Sequence, residues 1–112
     1  MTTRRYRGTH HTLAEPATRI ANGSVESALK DEAESLRVQL DVTAALGTLD
    51  VVIEDSLDDG ANWNVMGAFA QKTAPGREVI NITIPFTPRV RVRWTLGGVN
   101  PSFTFSVVAW MQ

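Results

Sequence analysis

The side chains that most often carry out chemistry in proteins are scarce in this sequence. It has two histidines, which are adjacent, and no cysteine. A metal centre needs about three or four ligands that converge from a fixed scaffold, so His10 and His11 alone are a poor site. Because both histidines lie near the N-terminus, a Ser-His-Asp triad cannot form in the rest of the chain. We predict no catalytic site, no cofactor and no metal centre.

The clearest local motif is the segment SLDDGANW at positions 56–63. It resembles the Asp-box pattern S-x-D-x-G-x-T-W, with Asn62 where threonine is usual. We interpret it as a structural hairpin, in which the Asp58 carboxylate accepts backbone N–H bonds and Gly60 adopts a positive φ. Trp63 would start the next strand and pack under the loop. Asp58, Gly60 and Trp63 are therefore the predicted turn residues.

Calcium binding is the alternative for the acidic cluster Asp55, Asp58 and Asp59. An EF-hand loop places oxygen ligands at its first, third and fifth positions, followed by a glycine. Counting from Asp55, the third position is Leu57, whose side chain has no oxygen. The spacing therefore favours a hairpin over a calcium site.

A row of arginines is the most informative charged pattern. Arg89, Arg91 and Arg93 alternate with apolar residues, so on a strand they share one face at a spacing of roughly 6.6 Å. Such like charges repel one another unless acidic side chains on a neighbouring strand, such as Asp50 or Glu54, lie beside them. The alternative is contact with an acidic partner surface, which makes the three arginines candidate partner-binding residues. Nucleic acid is disfavoured, because interleaved exposed aromatic residues are missing.

Length and charge limit what the chain can be. Its 112 residues form one domain, large enough for a single thin core. The net charge of −1 gives no basis for specific nucleic-acid binding. No apolar run approaches the roughly 18 residues of a membrane span. The N-terminal arginines are not followed by the apolar stretch of a secretory signal. We predict neither a membrane nor a specific nucleic-acid partner.

The N-terminal residues 1–23 lack hydrophobic periodicity and are rich in polar and turn-forming residues. Four arginines and one glutamate in the first twenty residues make this stretch basic, whereas the remainder is acidic. We predict an extended arm over residues 1–23 that becomes ordered on a partner, and a folded domain over residues 24–112. The predicted partner-binding residues of the arm are Arg4, Arg5, Tyr6, Arg7, Leu13 and Ile20.

Alternation of apolar and polar residues predicts β-strands through the rest of the chain. Glycines at 47, 76 and 97–98 separate the successive patterns. About seven short strands with frequent turns indicate an all-β fold, a single antiparallel β-sandwich or small barrel with an extended N-terminal arm. The strands fall at 36–43, 49–54, 63–69, 79–84, 89–96 and 103–107. Residues 24–29 form either a seventh strand or a loop, and 30–34 a loop or one helical turn.

The apolar positions of these patterns predict the core. The last residues are apolar on both faces, so Trp110 and Met111 either fold into the core or dock on a partner. Trp110 is accordingly a candidate partner-binding residue. The predicted core residues are Leu36, Val38, Leu40, Val51, Ile53, Ile82, Val92, Trp94, Phe103 and Phe105.

Five segments of the body resemble small β-sandwich proteins encoded in the structural gene clusters of tailed bacteriophages. The resemblance extends over about residues 35–108 and leaves out the arm. Around Leu57 the chain departs from the family pattern, because a Pro-Asp-Gly turn is commoner there, and this implies a longer hairpin loop. The segments are LRVQLDVTA at 36–44, VVIEDSLDDGANW at 51–63, GAFAQKTA at 67–74, RVRVRW at 89–94 and PSFTFSV at 101–107.

The resemblance implies a non-enzymatic virion structural protein, and a capsid decoration (cement) protein fits the residues best. Such a protein would bind the outside of the phage head through its arm and one sheet edge, with the major capsid protein or other virion proteins as partners. It would be a homo-oligomer, with a trimer favoured, on the capsid surface of a virion assembled in the host cytoplasm. A head–tail or tail-tube accessory protein is the alternative role.

The alternative from another class is a carbohydrate-binding module that uses a tryptophan as a sugar platform. Trp63, Trp94 and Trp110 are the three tryptophans of the chain. Trp94 falls on the apolar face of its predicted strand, which argues against an exposed platform there. The sequence leaves Trp63 and Trp110 as the other two candidates.

Overall fold

The computed structural model describes residues 8–29, 35–83, 87 and 89–111. Within them the chain is all-β, and every strand pairing is antiparallel, as predicted. No helix in these residues is long and apolar enough to cross a membrane. The six strands belong to one sheet and are β1 Thr9–Arg19, β2 Gly23–Ala28, β3 Leu36–Asp55, β4 Asn64–Ala68, β5 Gly76–Ile82 and β6 Arg89–Met111.

Two long strands, β3 and β6, organise the sheet. Residues 36–46 of β3 pair with 102–111 of β6, and this first half-sheet is completed by β5 beside β3 and β1 beside β6. Residues 48–55 of β3 pair with 90–97 of β6, and this second half-sheet is completed by β4 beside β3 and β2 beside β6. β3 and β6 are therefore each one continuous strand that belongs to both half-sheets.

The half-sheets join at a bend built on glycine. Leu46 pairs with Ser102 and Thr48 with Gly97, so the single residue Gly47 lies opposite the four residues 98–101. This irregular pairing is a bulge, which bends a strand without ending it. Gly47 has a φ of 98°, and a Cβ there would collide with the Gly97 carbonyl oxygen. Gly47, Gly97 and Gly98, which were predicted to separate strands, therefore lie within continuous bent strands, whereas Gly76 does stand at the start of a strand, β5.

The bend brings the apolar faces of the half-sheets together. The Trp94 ring, on the second half-sheet, packs edge-to-face on Phe105 of the first, with ring centroids 5.6 Å apart. β4 of the second half-sheet likewise lies close to β5 of the first. A Cβ added to Gly67 of β4 would stand only 3.0 Å from Cδ1 of Ile80 of β5. The predicted core is confirmed, because each of its residues is buried between the half-sheets.

The N-terminal stretch is the main correction to the predicted architecture. Residues 9–19, assigned to an arm outside the domain, form β1 and pair with β6. Leu13, predicted to anchor a partner, is buried in the core together with Ala14. Register shifts on both sides of Ala14, and Pro16 beyond it, disturb the alternation that would have marked a strand. The predicted arm residues Arg4, Arg5, Tyr6 and Arg7 lie outside the described residues.

The other strand boundaries differ by smaller amounts. The short strand predicted as one option for 24–29 is present as β2, Gly23–Ala28. Residues 30–34 lie outside the described ranges. Residues 76–78, which precede the strand predicted at 79–84, already belong to β5. Its pairing with 40–42 of β3 extends the ladder beyond the apolar alternation.

Arg19 fastens the end of β1 to the bent sheet. Its guanidinium lies over the rings of Phe105, at 4.1 Å, and Trp94, at 4.7 Å. It donates hydrogen bonds to the carbonyl oxygens of Phe105 at 2.6 Å, Glu15 at 2.7 Å and Ala17 at 3.0 Å. Burial lowers the pKa of Arg19. One side chain thus links β1 to residues of both half-sheets.

Substitution of Gly47 and Gly98, the two glycines of positive φ at the bend, should distinguish the effect of backbone strain from that of a steric collision. Gly98→Ala places a Cβ at positive φ, with Gly47 Cα as its only near neighbour at 3.3 Å, and should destabilise by about 1–3 kcal/mol. Gly47→Ala adds the collision with the Gly97 carbonyl and should destabilise the fold clearly more. Urea denaturation measures both losses. Equal losses would contradict a bend that depends on close approach at Gly47.

Replacing Arg19 by lysine should weaken the attachment of β1. A lysine ammonium cannot lie flat on two rings and bond three carbonyls together, so we expect a loss of about 1–3 kcal/mol. Arg77→Lys is the matched control, because Arg77 is mostly exposed and its one ion pair with a described residue is to Asp41 at 3.5 Å. Its effect should stay within about 0.5 kcal/mol. Urea denaturation measures both, and comparable losses would contradict the fastening role of Arg19.

Candidate interaction surfaces

The arginine row lies on the outward face of β6, as its spacing predicted. Arg91 bonds Glu54 on β3 through Nη2 at 2.7 Å and Nε at 2.9 Å, and Arg93 Nε bonds the same carboxylate oxygen at 3.2 Å. Glu54 is only 4% exposed. The predicted acidic neighbour is therefore Glu54, whereas Asp50 accepts a hydrogen bond from Gln71 instead.

The other contacts of the row complete its neutralisation. The Arg91 guanidinium stacks on the Trp63 ring, 4.4 Å from its centroid. Arg89 Nη1 pairs with Asp59 at 2.7 Å and Nη2 with Glu26 at 3.3 Å, and these hydrogen bonds raise the pKa of Arg89. The carboxylates of Glu26, Glu54 and Asp59 thus balance the three arginines. The three arginines, which were predicted as candidate partner-binding residues, already form ion pairs within the chain.

The segment 56–63 forms a tightly bonded turn between β3 and β4. Asp58 accepts hydrogen bonds from Asn62 through the backbone N at 2.7 Å and the side-chain Nδ2 at 2.6 Å. The Ser56 hydroxyl accepts a bond from the Gly60 N at 2.7 Å and donates one to Asp58 at 3.0 Å. Gly60 has a φ of 92°, and a Cβ there would lie 2.8 Å from the Arg89 guanidinium. These contacts are those of a structural turn.

Two details of this turn were not predicted. Asn62, which stands where threonine is usual, supplies a second donor to Asp58, so both carboxylate oxygens accept protein hydrogen bonds. The Trp63 ring lies under the Arg91 guanidinium, and β4 begins one residue later than predicted. Across the described part of the chain, no group of three or more histidine and acidic side chains is placed to hold a metal ion.

The outward face of the first half-sheet surrounds Trp110. Met111 points into the core, whereas Trp110 points outward and is half-buried beside Gly8. The core option is therefore realised by Met111, and partner docking stays a prediction for Trp110. Grooves of about 180 and 190 Å³ flank the indole. The cross-strand row through Trp110 is Asn81, Arg37, Trp110 and His10, and the next row is Val79, Gln39, Val108 and Thr12.

Three of the seven exposed large aliphatic side chains of the described residues lie at the bend. Ile20 is 74% exposed, Leu46 58% and Val99 86%. Ile20 directly follows β1, whose last residue pairs with Phe103, Leu46 pairs with Ser102, and Val99 lies in the intervening bulge. We call Ile20, Leu46 and Val99 the bend patch.

Only one member of the bend patch was predicted as a partner-binding residue. Ile20 was assigned as an anchor of the arm and does lie at the surface. Leu46 was missed because the register shift between Val42 and Ala44 changes which residues face outward. Val99 was missed because a lone aliphatic residue between glycines and Asn-Pro carries no periodic signal. The Gly-Gly before it was the available hint of an exposed corner.

Comparison of the chain with protein-family models, curated proteins and solved structures finds no significant match.

Protonation of Asp58 should loosen the turn in acid. The hydrogen bonds from the Asn62 side chain and backbone hold the pKa of Asp58 below its ordinary value. A lowered pKa means that the carboxylate stabilises the turn at neutral pH and loses this effect as the pH falls through the lowered value. An NMR titration should therefore show the Asn62 amide shifting with a midpoint below the ordinary aspartate pKa of about 3.9.

The control for this titration is Asp58→Asn, which keeps the size of the side chain and removes its charge. In that variant the acid-induced shift of the Asn62 amide should disappear. A midpoint at or above the ordinary aspartate value in the unmodified protein would contradict the described turn geometry.

Proposed function

We propose that this chain is a non-enzymatic structural protein that binds other protein surfaces, and that it serves as a capsid decoration protein on a virion. The observation that carries the binding role is the bend patch, whose three aliphatic side chains are exposed together at one corner of a small domain. The assignment to a virion rests on the resemblance of residues 35–108 to phage structural proteins. We interpret the bent sheet as a β-sandwich, because its half-sheets pack face to face.

Binding through the bend patch would be weak for one copy. Three aliphatic residues form a small contact, and a few central apolar residues usually dominate the affinity of an interface. A decoration protein compensates by repetition, because many copies on a regular lattice, or several linked in one oligomer, add avidity. The basic residues Arg4, Arg5 and Arg7 would add exposed ion pairs, each worth only about 0–1 kcal/mol.

Identification of the protein in purified phage particles tests the proposed place on a virion. Phage particles from a culture that carries the gene would be analysed by mass spectrometry and cryo-electron microscopy. We expect the chain in regular copies on the outer surface of the head. Copies at the neck or tail would support the alternative of a head–tail or tail-tube accessory protein. Absence from particles that are otherwise complete would contradict both roles.

Substitutions in the bend patch test the binding surface. Leu46→Asp and Val99→Asp should leave the free energy of unfolding within about 0.5 kcal/mol, because both side chains are exposed. Each should reduce co-sedimentation with undecorated particles by about tenfold or more, as expected for a central apolar contact. Val65→Asp is the matched control, since Val65 is 56% exposed and lies on β4, away from the bend.

The outcome is read by comparing the variants with this control and with a chain that lacks residues 1–7. Equal loss of co-sedimentation in the Val65 and Leu46 variants would contradict a bend-specific contact. Loss on deletion of residues 1–7 alone, with the bend variants unaffected, would assign attachment to the N-terminal arginines instead.

Carbohydrate binding remains the candidate from another class, and the position of Trp110 favours it. Trp94 is buried and Trp63 is covered on one face by Arg91, so neither is an open platform. Trp110 lies between Arg37 and His10 on an outward face with a groove on either side. Glycan-array binding that is lost in Trp110→Ala would support this function. Absence of glycan binding would leave the protein-binding proposal.

A further inference from the structure

The four outer strands of the sheet differ in how their free edges are protected. These strands are β1, β2, β4 and β5, and each pairs with a long strand on one side only. An unprotected edge presents unpaired N–H and C=O groups to any other strand that approaches. Bulges, prolines, charged side chains and short strands are the devices that block such pairing.

The edge of β1 is blocked several times over. Its pairing with β6 shifts register twice, and Pro16 has no N–H to offer. The Arg19 guanidinium also occupies the carbonyl oxygens of Glu15 and Ala17, at 2.7 and 3.0 Å. Another strand cannot pair regularly with this stretch of β1.

The edges of β4 and β5 are protected in other ways. β4 has five residues, and its pairing with β3 shifts register at Glu54. β5 begins with the exposed charge of Arg77, and the next residue, Glu78, is bonded to the Ala70 backbone N and to Lys72. Further along, Ile80 of β5 packs towards Gly67 of β4.

The edge of β2 has neither a bulge nor a proline. Its six residues pair with β6 in continuous register, and none is proline. Its one charged residue, Glu26, is held by Arg89 at 3.3 Å. Val25 lies opposite the buried Val92, on the core side of the sheet, yet it is 37% exposed. A residue on the core side is exposed to this extent because, among the residues that the structure describes, no further strand pairs with the other edge of β2.

We propose that β2 pairs with β2 of a second copy of this chain, antiparallel about a two-fold axis at Val25. In this register Val25 lies opposite Val25 of the partner subunit, and Ser24 lies opposite Glu26 of the partner subunit. No like charges are directly opposite, and the two cores become continuous through the paired valines. An antiparallel strand edge is complementary to itself about a two-fold axis, so β2 of a second copy can form backbone hydrogen bonds with it.

The size of the contact sets the strength of the dimer. Two paired strands of six residues bury less than the roughly 1,200 Å² of a stable standard interface, so association should be weak and depend on concentration. The pair differs from the three-fold assembly that the family resemblance implies. The proposal rests on the edge of β2 alone and holds whether or not the chain is a virion protein.

Cross-linking through an introduced cysteine tests the register. The chain has no cysteine, so Val25→Cys creates a single thiol at the proposed axis. A short bis-maleimide should then link two chains, because directly opposite Cβ atoms lie about 4.5–5.5 Å apart. Val79→Cys is the matched control, with 38% exposure on the edge strand β5, and should remain largely uncross-linked. Equal cross-linking of both variants, or of neither, would overturn the proposal.

Sedimentation velocity provides the second measurement. The unmodified protein should form dimers as its concentration rises from about 10 µM to about 1 mM. Val25→Lys places an inward-pointing charge on the edge strand and should remain monomeric, whereas Val79→Lys should dimerise like the unmodified protein. A protein that is monomeric throughout, a Val25→Lys variant that dimerises, or loss of dimer in Val79→Lys would each overturn the proposal. If Val25→Lys fails to fold, the cross-linking comparison decides alone.

Discussion

The bend at Gly47 is the constraint on which the rest of this structure depends. A single flat sheet of six strands would leave one apolar face in water, because no helix among the described residues covers it. Bending the two long strands near their middle turns that face onto itself. Burial of both half-sheets then needs no second element. The cost is a backbone position that only glycine can occupy, since the Gly97 carbonyl lies where a Cβ would stand.

The same bend determines which surface side chains are available to contact a partner. On the outward face of the second half-sheet, cross-strand pairs between arginines and carboxylates neutralise one another. At the bend itself the ladder between β3 and β6 opens into a bulge, and aliphatic side chains near it face solvent. The charged row is therefore the less available surface and the bend the more available one. The sequence predicts either acidic cross-strand neighbours or a partner surface for these arginines, and the pairing of Arg91 and Arg93 with Glu54 realises the first.

Much of the fold followed from period-two alternation. The core residues were predicted correctly because core-facing residues on a regular strand repeat at every second position. The same rule failed for β1, where the two register shifts disturb the spacing, although Leu13 is as well buried as the central residues. It also failed at Gly47, because a glycine that ends a strand and a glycine that bends one look alike in sequence. The turn at Asp58 was predicted well, since its contacts lie within a few residues of one another.

The sequence by itself determined the features that depend on near neighbours: an all-β chain, the faces of its regular strands and the bonded turn at 56–63. The tertiary structure alone decided which edges stay open and which charges are already paired. Arg19 bonds the carbonyl of Phe105, 86 residues away, and Arg91 bonds Glu54, 37 residues away, separations at which no periodic signal remains. Val25 and Val92 belong to one core-facing pair, yet only Val25 is exposed. That difference arises from position in the sheet, because within the described ranges a strand pairs with each side of β6 and with only one side of β2.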